Sequence, residues 1–311
     1  MNNTAIIHIS IIIPTHNRAE LLRQSLESIS QLIIPPEKNV ELLVIANACT
    51  DQTVHVCAVA VNSMPFPLRC ITESQAGLGN ARNRALLEAE GEIIAFLDDD
   101  VWVENNWLIG LLEIFEHYPA DVAAGKVTLW WQAVEKPAWL THRSEHLLSA
   151  VDYGDQVQEL FAAGEAVGAD FAFRRRVLAD VPNFRTDLDR RGRTVLAGGD
   201  TYFISQALKT GHRMFYAPRA AIKHWVAPER MTLPYLGRAA YANGLARIQM
   251  MDHPFIITRI RLALENLLKY CFYGVVEALS AAIGCERGRI NHHIRRMTCK
   301  GVIAALAMRR R

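Results

Sequence analysis

No two cysteines in this sequence stand in the C-x-x-C spacing that builds zinc and redox sites. The six present, Cys49, Cys57, Cys70, Cys271, Cys285 and Cys299, are scattered singly, which argues against a disulfide framework or a thiolate metal site and suits a reducing cytoplasm. No G-x-G-x-x-G follows the first apolar run, and G-x-x-x-x-G-K-[ST] occurs nowhere, so a dehydrogenase and a P-loop enzyme are both disfavoured. A charge excess of one sign is missing too. The net charge is +2, and no nucleic-acid partner is expected. The apolar stretch Tyr270–Ile283 contains one charge, Glu277, and falls short of the roughly 20 residues needed to span a bilayer. Nor does the amino terminus read as a secretory leader. Ile6–Ile13 is apolar, but no basic stretch precedes it and no small-residue cleavage site follows; it reads as a first strand.

What is present is a chain of 311 residues, half of them hydrophobic and 21% charged. It is long enough for one large domain with an extension. Its organising stretch is Gly91-Glu92-Ile93-Ile94-Ala95-Phe96-Leu97-Asp98-Asp99-Asp100. An unbroken apolar run predicts a strand buried on both faces of a parallel sheet, and open α/β sheets bind ligands at the carboxyl ends of such strands. Three adjacent carboxylates there repel one another unless a cation sits among them. Alternation along the backbone predicts that Asp98 and Asp100 point the same way, and hard oxygen ligands suit Mg²⁺ or Mn²⁺. A solvated acidic turn is the competing reading.

The flanking sequence alternates strand and helix patterns. Strands are predicted at Ile9–Ile13, Glu41–Ala46 and Leu68–Thr72, and helices at Ala19–Leu32, Thr50–Val61, Asn80–Glu88 and Trp107–His117. Repeated βα units of this length predict a doubly wound, mostly parallel sheet. Later elements are a strand over Val122–Trp131, another over Gly168–Phe173 running into a helix at Arg174, a helix with Asp200 in its first turn, and strands at Met214–Tyr216 and Ala220–Trp225. Residues 132–165 and 185–198 lack a burial pattern. The second stretch is a candidate lid or acceptor wall. Trp130, Trp131 and Trp139 suit either sugar stacking or core packing.

With these motifs in order (Pro14-Thr15-His16-Asn17-Arg18, Asn47-Ala48-Cys49-Thr50-Asp51, Gly77-Leu78-Gly79-Asn80-Ala81-Arg82-Asn83, Asp98-Asp99-Asp100, Gly198-Gly199-Asp200-Thr201 and His224), the chain resembles the family-2 glycosyltransferases over about residues 8–240. The resemblance implies a GT-A nucleotide-sugar-binding fold in residues 1–240 and an inverting, metal-dependent transfer of sugar from a nucleotide-linked donor, UDP-linked by expectation, to a glycan or lipid-linked acceptor. Residue by residue, it implies that Thr15 and Asn17 line the nucleoside pocket and that Pro14, Arg18 and Asn47 also bind the nucleotide sugar. Arg82 reaches the base or phosphates, Asp98 the ribose, and Asp99 and Asp100 the metal–diphosphate. Asp100 and His224 are the implied metal ligands, Asp200 the general base, and Asp170 a neighbour of the donor sugar. Two positions depart from the pattern. Ala46 stands where many relatives carry an acid that reads the base, and the usual Glu-Asp pair is Gly199-Asp200. Structural readings stand beside these roles: Asp200 and Asp51 as helix caps, His224 as a core histidine, Arg82 as a solvated helix charge. A non-catalytic nucleotide-sugar-binding or membrane-associated partner protein is the alternative function.

Residues 241–311 read as a helical, basic extension. Arg261, Glu265 and Lys269 recur four apart on one face, while Leu264, Leu267, Leu268 and Cys271 share another. From Cys285 to Arg311 eight Lys/Arg face a single acid, Glu286, a local net of +7. Such a segment suits an anionic lipid surface, and predicts a cytoplasmic protein peripheral at the inner face of the membrane; a solvated appendage or oligomer contact fits the same pattern.

Overall fold

The structure is a computed structural model that describes residues 8–132, 134–188, 198–249, 251 and 255–308. In chain order it runs β1 (Ile9–Thr15), α1 (Ala19–Ile29), β2 (Val40–Asn47), α2 (Thr53–Ala60), β3 (Leu68–Glu73), α3 (Leu78–Glu88), β4 (Ile93–Leu97), β5 (Val101–Val103), α4 (Trp107–His117), β6 (Val122–Trp130) and α5 (His142–His146). It continues through β7 (Gln158–Leu160), β8 (Asp170–Arg174), α6 (Gly199–Lys209), β9 (Met214–Trp225), α7 (Leu233–Gln249), α8 (Ile256–Ala282) and α9 (Glu286–Ala307).

One mixed sheet has the strand order β3-β2-β1-β4-β8-β6-β9-β5, with β7 also pairing β9. Its first four strands are parallel, because each is joined to the next by a crossover through a helix. Strands β1, β2 and β4 are buried along their whole length, which is why they read as continuous apolar runs. Beyond β4 the sheet is mixed: β8 lies antiparallel between β4 and β6, β6 and β9 are parallel, and β5 closes the edge antiparallel to β9. The two late strands expected from sequence are one strand, β9, whose register against β6 shifts between Gly125 and Lys126. The helix expected after Arg174 is a 3-10 turn over Arg175–Ala179. In the poorly patterned stretch after β6 lie α5 and β7, while most of the candidate lid, residues 189–197, lies outside the described residues.

The chain forms two compact units. The first holds Met1–Trp130, Ser149–Asp189 and Gly199–Trp225, and therefore the whole sheet. Its core includes a stack of phenylalanines under the end of β4: Phe96 lies 5.3 Å from Phe171, and Phe184 4.5 Å from Phe203. The second holds Trp131–Leu148, Arg190–Gly198 and Val226–Arg311. Within it α9 packs on both α7 and α8. The α7–α9 crossing is glycine-lined: a Cβ on Gly301 would meet the Tyr241 carbonyl oxygen at 2.0 Å, and one on Gly244 the Thr298 carbonyl oxygen at 2.2 Å. The backbones touch there, as small residues allow. No helix among the described residues is long and apolar enough to cross a membrane.

Candidate active site

The site is built where β4 ends. Asp98 Oδ2 and Asp100 Oδ1 turn toward Nε2 of His224, the penultimate residue of β9, at 4.0 and 3.2 Å. One donor atom from each of the three residues lies within 4.8 Å of the others. Donors on a single octahedral ion of Mg²⁺ or Mn²⁺ size sit about 3–4 Å apart, so a small inward adjustment of Asp98 lets this set fit such an ion. The chemistry fits as well: two carboxylate oxygens favour a hard divalent cation, and imidazole is a common nitrogen ligand. Asp100 and His224 are each 2% exposed, and His224 pairs in register with Val101 across β5 and β9.

Asp99 turns the other way. Its carboxylate accepts hydrogen bonds from Thr15 Oγ1 at 2.7 Å and Arg18 Nη1 at 2.7 Å, and the same Arg18 nitrogen lies 2.9 Å from Asp100 Oδ2. A cation of the chain itself thus offsets part of the repulsion that the sequence makes conspicuous. Burial pushes the Asp99 carboxyl up to about 6, and Asp100 and Asp98 push the same way, against the pull of Arg18 and Thr15. Burial works against the charge on Arg18, yet Asp100 and Asp99 together hold its pKa above the ordinary value. Under this layer, Ser25 Oγ bonds the Asp99 and Val101 carbonyls at 2.9 and 2.8 Å and accepts from Val101 N–H at 3.1 Å. The buried serine therefore fixes the backbone path of the triplet.

Beside the triplet, Asp98 N–H donates to the Ala169 carbonyl, and the preceding residue, Gly168, makes room for Asp200. A Cβ at Gly168 would lie 2.0 Å from Asp200 Oδ2. Asp200 occupies the first turn of α6, and its Oδ1 accepts a hydrogen bond from Thr201 N–H. Arg82 on α3 reaches it from below, Nη2 to Oδ2 at 4.0 Å, and lies 3.5 Å from the Gly168 carbonyl. Arg82 is 2% exposed. Its guanidinium stacks over Phe96, Phe171 and Phe184 at 5.4–5.7 Å, a cation–π cage that keeps a charge tolerable in an apolar layer.

Asp170, the first residue of β8, points into the interior. Trp107 Nε1 donates to both of its oxygens at 3.1 Å, and it rests against Gly125, where a Cβ would clash at 1.8 Å. Complete burial raises its pKa well above the ordinary carboxyl value, with only the indole N–H pulling down.

The other sequence-derived residues organise loops. Pro14 is a buried residue of β1. Asn47 spends its side chain on the backbone, donating to the Glu73 and Gln75 carbonyls and accepting from Gly77 N–H at 2.8 Å. Asn17, at φ 52°, accepts from Thr50 and Asp51 N–H groups and ties the β1 loop to the β2 loop. Asp51 accepts from Thr53 N–H and Ala19 N–H, both at 3.0 Å, so it serves the starts of two helices. Trp130 packs edge-on against Trp102. Ser25, Trp107, Gly125 and Gly168 were missed by sequence reasoning. Only Ser25 left a signal, as a polar residue on the stripe of α1 shared by Leu22, Leu26 and Ile29.

Known proteins share the family pattern and the fold. A model of the family described as glycosyl transferase family 2 matches residues 10–181, more than half of the chain; Asp200 and His224 lie beyond that match. The glucosyl-dolichyl phosphate glucuronosyltransferase of Haloferax volcanii is 22% identical over 78% of this chain and 77% of its own length. The succinoglycan biosynthesis protein ExoM of Rhizobium meliloti is 24% identical over 76% and 73%. Glycosyltransferase GlyA of Streptococcus pneumoniae is 32% identical over 38% of this chain, a span that is only 16% of GlyA. Among solved structures, the mannosyltransferase PcManGT of Pyrobaculum calidifontis, in complex with GDP-Man and Mn²⁺, superposes with a TM-score of 0.66 over 98% of this chain and 88% of its own, at 18% identity. TarS of S. aureus, in complex with UDP, gives 0.55 over 96% and 90%, at 17% identity. Fold and sequence agree: the chain belongs to glycosyl transferase family 2.

Proposed function

We propose that this glycosyltransferase moves a sugar from a nucleotide-sugar donor, UDP-linked, to a hydroxyl of a glycan or lipid-linked acceptor, with inversion, and that residues 1–240 carry this chemistry at the inner face of a membrane. The observation that carries the reading is the convergence of Asp98, Asp100 and His224, with ligand atoms within 4.8 Å of one another, next to the Gly168–Ala169 segment against which Asp200 rests. Asp98, Asp100 and His224 would hold a divalent cation, Mg²⁺ or Mn²⁺, which when bound supplies Lewis-acid neutralisation of the departing diphosphate.

The rest is done by side chains. The acceptor oxygen forms a bond to the anomeric carbon as the bond from that carbon to the diphosphate oxygen breaks, and the electron pair leaves with the diphosphate. Asp200 takes the hydroxyl proton as attack proceeds, an effect worth roughly 10²–10⁴-fold. A single carboxylate on the attacking face fits one displacement. Arg82 holds Asp200: its caged guanidinium, 4.0 Å away, orients the carboxylate. Thr15 and Arg18 hold Asp99 turned away from the His224 side. Asn17 and Asn47 shape the nucleoside pocket through the loops they tie, and Ala46, paired with Thr15 at the tip of β2, leaves the base to be read by other groups. Asp170 stiffens the floor below the donor sugar.

The test is a pair of variants assayed with a panel of UDP- and GDP-sugars. Asp200→Asn is expected to keep metal-dependent donor binding and lose transfer; Asp100→Ala is expected to lose both. Full transfer by Asp200→Asn would remove it as the base, and transfer undiminished by exhaustive chelation would remove the cation.

A further inference from the structure

The long helix α8 has an apolar stripe that no described residue covers. On a soluble helix the apolar stripe faces the core and the polar face meets water. Here α9 takes up a side of mixed character, where Leu262 and Ala263 pack beside Val302, Ala305 and Leu306 and polar groups are paired. Glu277 pairs with His293 Nδ1 at 2.9 Å and Arg296 Nη1 at 3.1 Å, and the guanidinium groups of Arg295 and Arg296 stack over Tyr273 and Tyr270. The opposite face carries Ile257, Ile260, Leu264, Leu268, Val275 and Leu279, each at least half exposed and recurring at helical spacing. Ile257 is 77% and Leu268 72% exposed. With Phe255 before the helix and Ile283 after it, both more than three-quarters exposed, the stripe runs the whole 27 residues, about 40 Å. An apolar strip of this extent marks an interaction surface.

Charge says what covers it. Residues 233–311 contain thirteen Lys/Arg and four Asp/Glu, whereas residues 1–232 contain twenty-one and twenty-eight. The segment that presents the apolar strip is therefore strongly positive in a chain whose remainder is negative. Two copies joined face to face along α8 would bring two such positive segments together. An anionic surface that is apolar beneath would satisfy both features. Arg261, at the edge of the strip, is 79% exposed, and Lys269 and Lys300 are exposed. The geometry of a helix lying in an interface plane, apolar side down and basic groups at headgroup level, fits these positions. At 27 residues α8 is long enough to span but not apolar enough.

We propose that the outer face of α8 docks on an anionic lipid bilayer, lying along its surface. This deepens the membrane location stated under the proposed function. It is independent of the assigned catalytic roles, since binding is read without sugar transfer. The full chain should sediment with vesicles of phosphatidylcholine and phosphatidylglycerol, much less with phosphatidylcholine alone, and rising salt should weaken binding. The double variant Leu264→Glu/Leu268→Glu should lower the partition about ten-fold or more, with an unchanged thermal midpoint and unchanged nucleotide-induced thermal shift. Arg261→Glu/Lys269→Glu should lower it on anionic vesicles alone. Failure of the unaltered chain to bind anionic vesicles would overturn the proposal. So would a dimer in solution, dissolved by Leu264→Glu/Leu268→Glu, that shows no vesicle binding; the face would then be a subunit contact.

Discussion

The end of β4 and the outer face of α8 break the ordinary distribution of side chains in opposite directions. At β4, ionisable groups are buried: Asp99, Asp100, Asp170, Arg82 and His224 are each no more than 5% exposed. Along α8, isoleucines and leucines stand in water. The first departure is largely met within the chain, by Arg18, Thr15, the phenylalanine cage and the Trp107 indole. The second has no partner among the described residues. Departures from the polar-out, apolar-in rule tend to mark function. The comparison adds that a departure compensated inside the molecule belongs to chemistry done there, while an uncompensated one points to something outside.

Variants at the acid cluster should give the largest effects. Asp100→Ala and Asp200→Asn are each expected to cost roughly 10²–10⁴ in turnover; the thermal midpoint of Asp200→Asn moves little, whereas that of Asp100→Ala falls, because the variant takes from part-buried Arg18 one of its two carboxylate partners. Next comes Gly168→Ala. Its methyl group would sit 2.0 Å from Asp200 Oδ2, so that carboxylate must swing aside, and for a general base a displacement of about 1 Å costs on the order of 10²-fold. The signature is a fall in kcat with KM for the donor retained. An unchanged kcat would show that the position of Asp200 does not matter to the reaction.

Asp170→Asn gives a smaller effect with a defined sign. Burial raises the carboxyl pKa in the folded chain, so the folded state keeps a proton that the unfolded state releases near the ordinary value of about 3.9. Stability from this group is full below that value and declines as pH rises towards the folded-state pKa. Asn keeps an acceptor for the Trp107 indole without this loss. The midpoint of Asp170→Asn relative to the unaltered chain should therefore grow more favourable from pH 5 to pH 8; a gap independent of pH would contradict the buried, proton-holding carboxyl. At the far end, Leu268→Glu on the α8 strip should change stability by no more than about 0.5 kcal/mol, whereas Phe96→Ala in the cage should cost about 3–5 kcal/mol by chemical denaturation. Comparable losses at both positions would mean that the strip is packed rather than exposed.

Much of this contrast was legible in the sequence where a pattern is local. Ile93–Leu97 reads as a doubly buried strand because both its faces are apolar, and it is one. Asp98 and Asp100 read as sharing a side, and both turn to His224. Local patterns failed where a long-range partner decides. Val101–Val103 is three residues with a half-buried Trp102, and is a strand only because β9 arrives beside it from over a hundred residues away. Pro218 and Arg219 look like a break between two strands, yet the chain bridges them through the register shift opposite Gly125 and Lys126. Sequence identified Arg18 and Arg82 through their motifs, but not that one neutralises Asp99 and the other lies in a phenylalanine cage, since Asp99 is 81 positions from Arg18, and Phe171 and Phe184 are 89 and 102 positions from Arg82. On α8 both faces named from the sequence are exposed, and the side that packs on α9, with Leu262, Ala263 and Glu277, was not legible because residues of another helix define it.

The central claim is that Asp98, Asp100 and His224 recruit a diphosphate through a divalent ion. Calorimetric titration of UDP into the unaltered chain and into Asp100→Ala, each with Mn²⁺ and with a chelator, tests it most directly. The account predicts that Mn²⁺ tightens UDP binding at least about ten-fold in the unaltered chain and leaves Asp100→Ala unmoved. Equal UDP affinity with and without metal in the unaltered chain would contradict it.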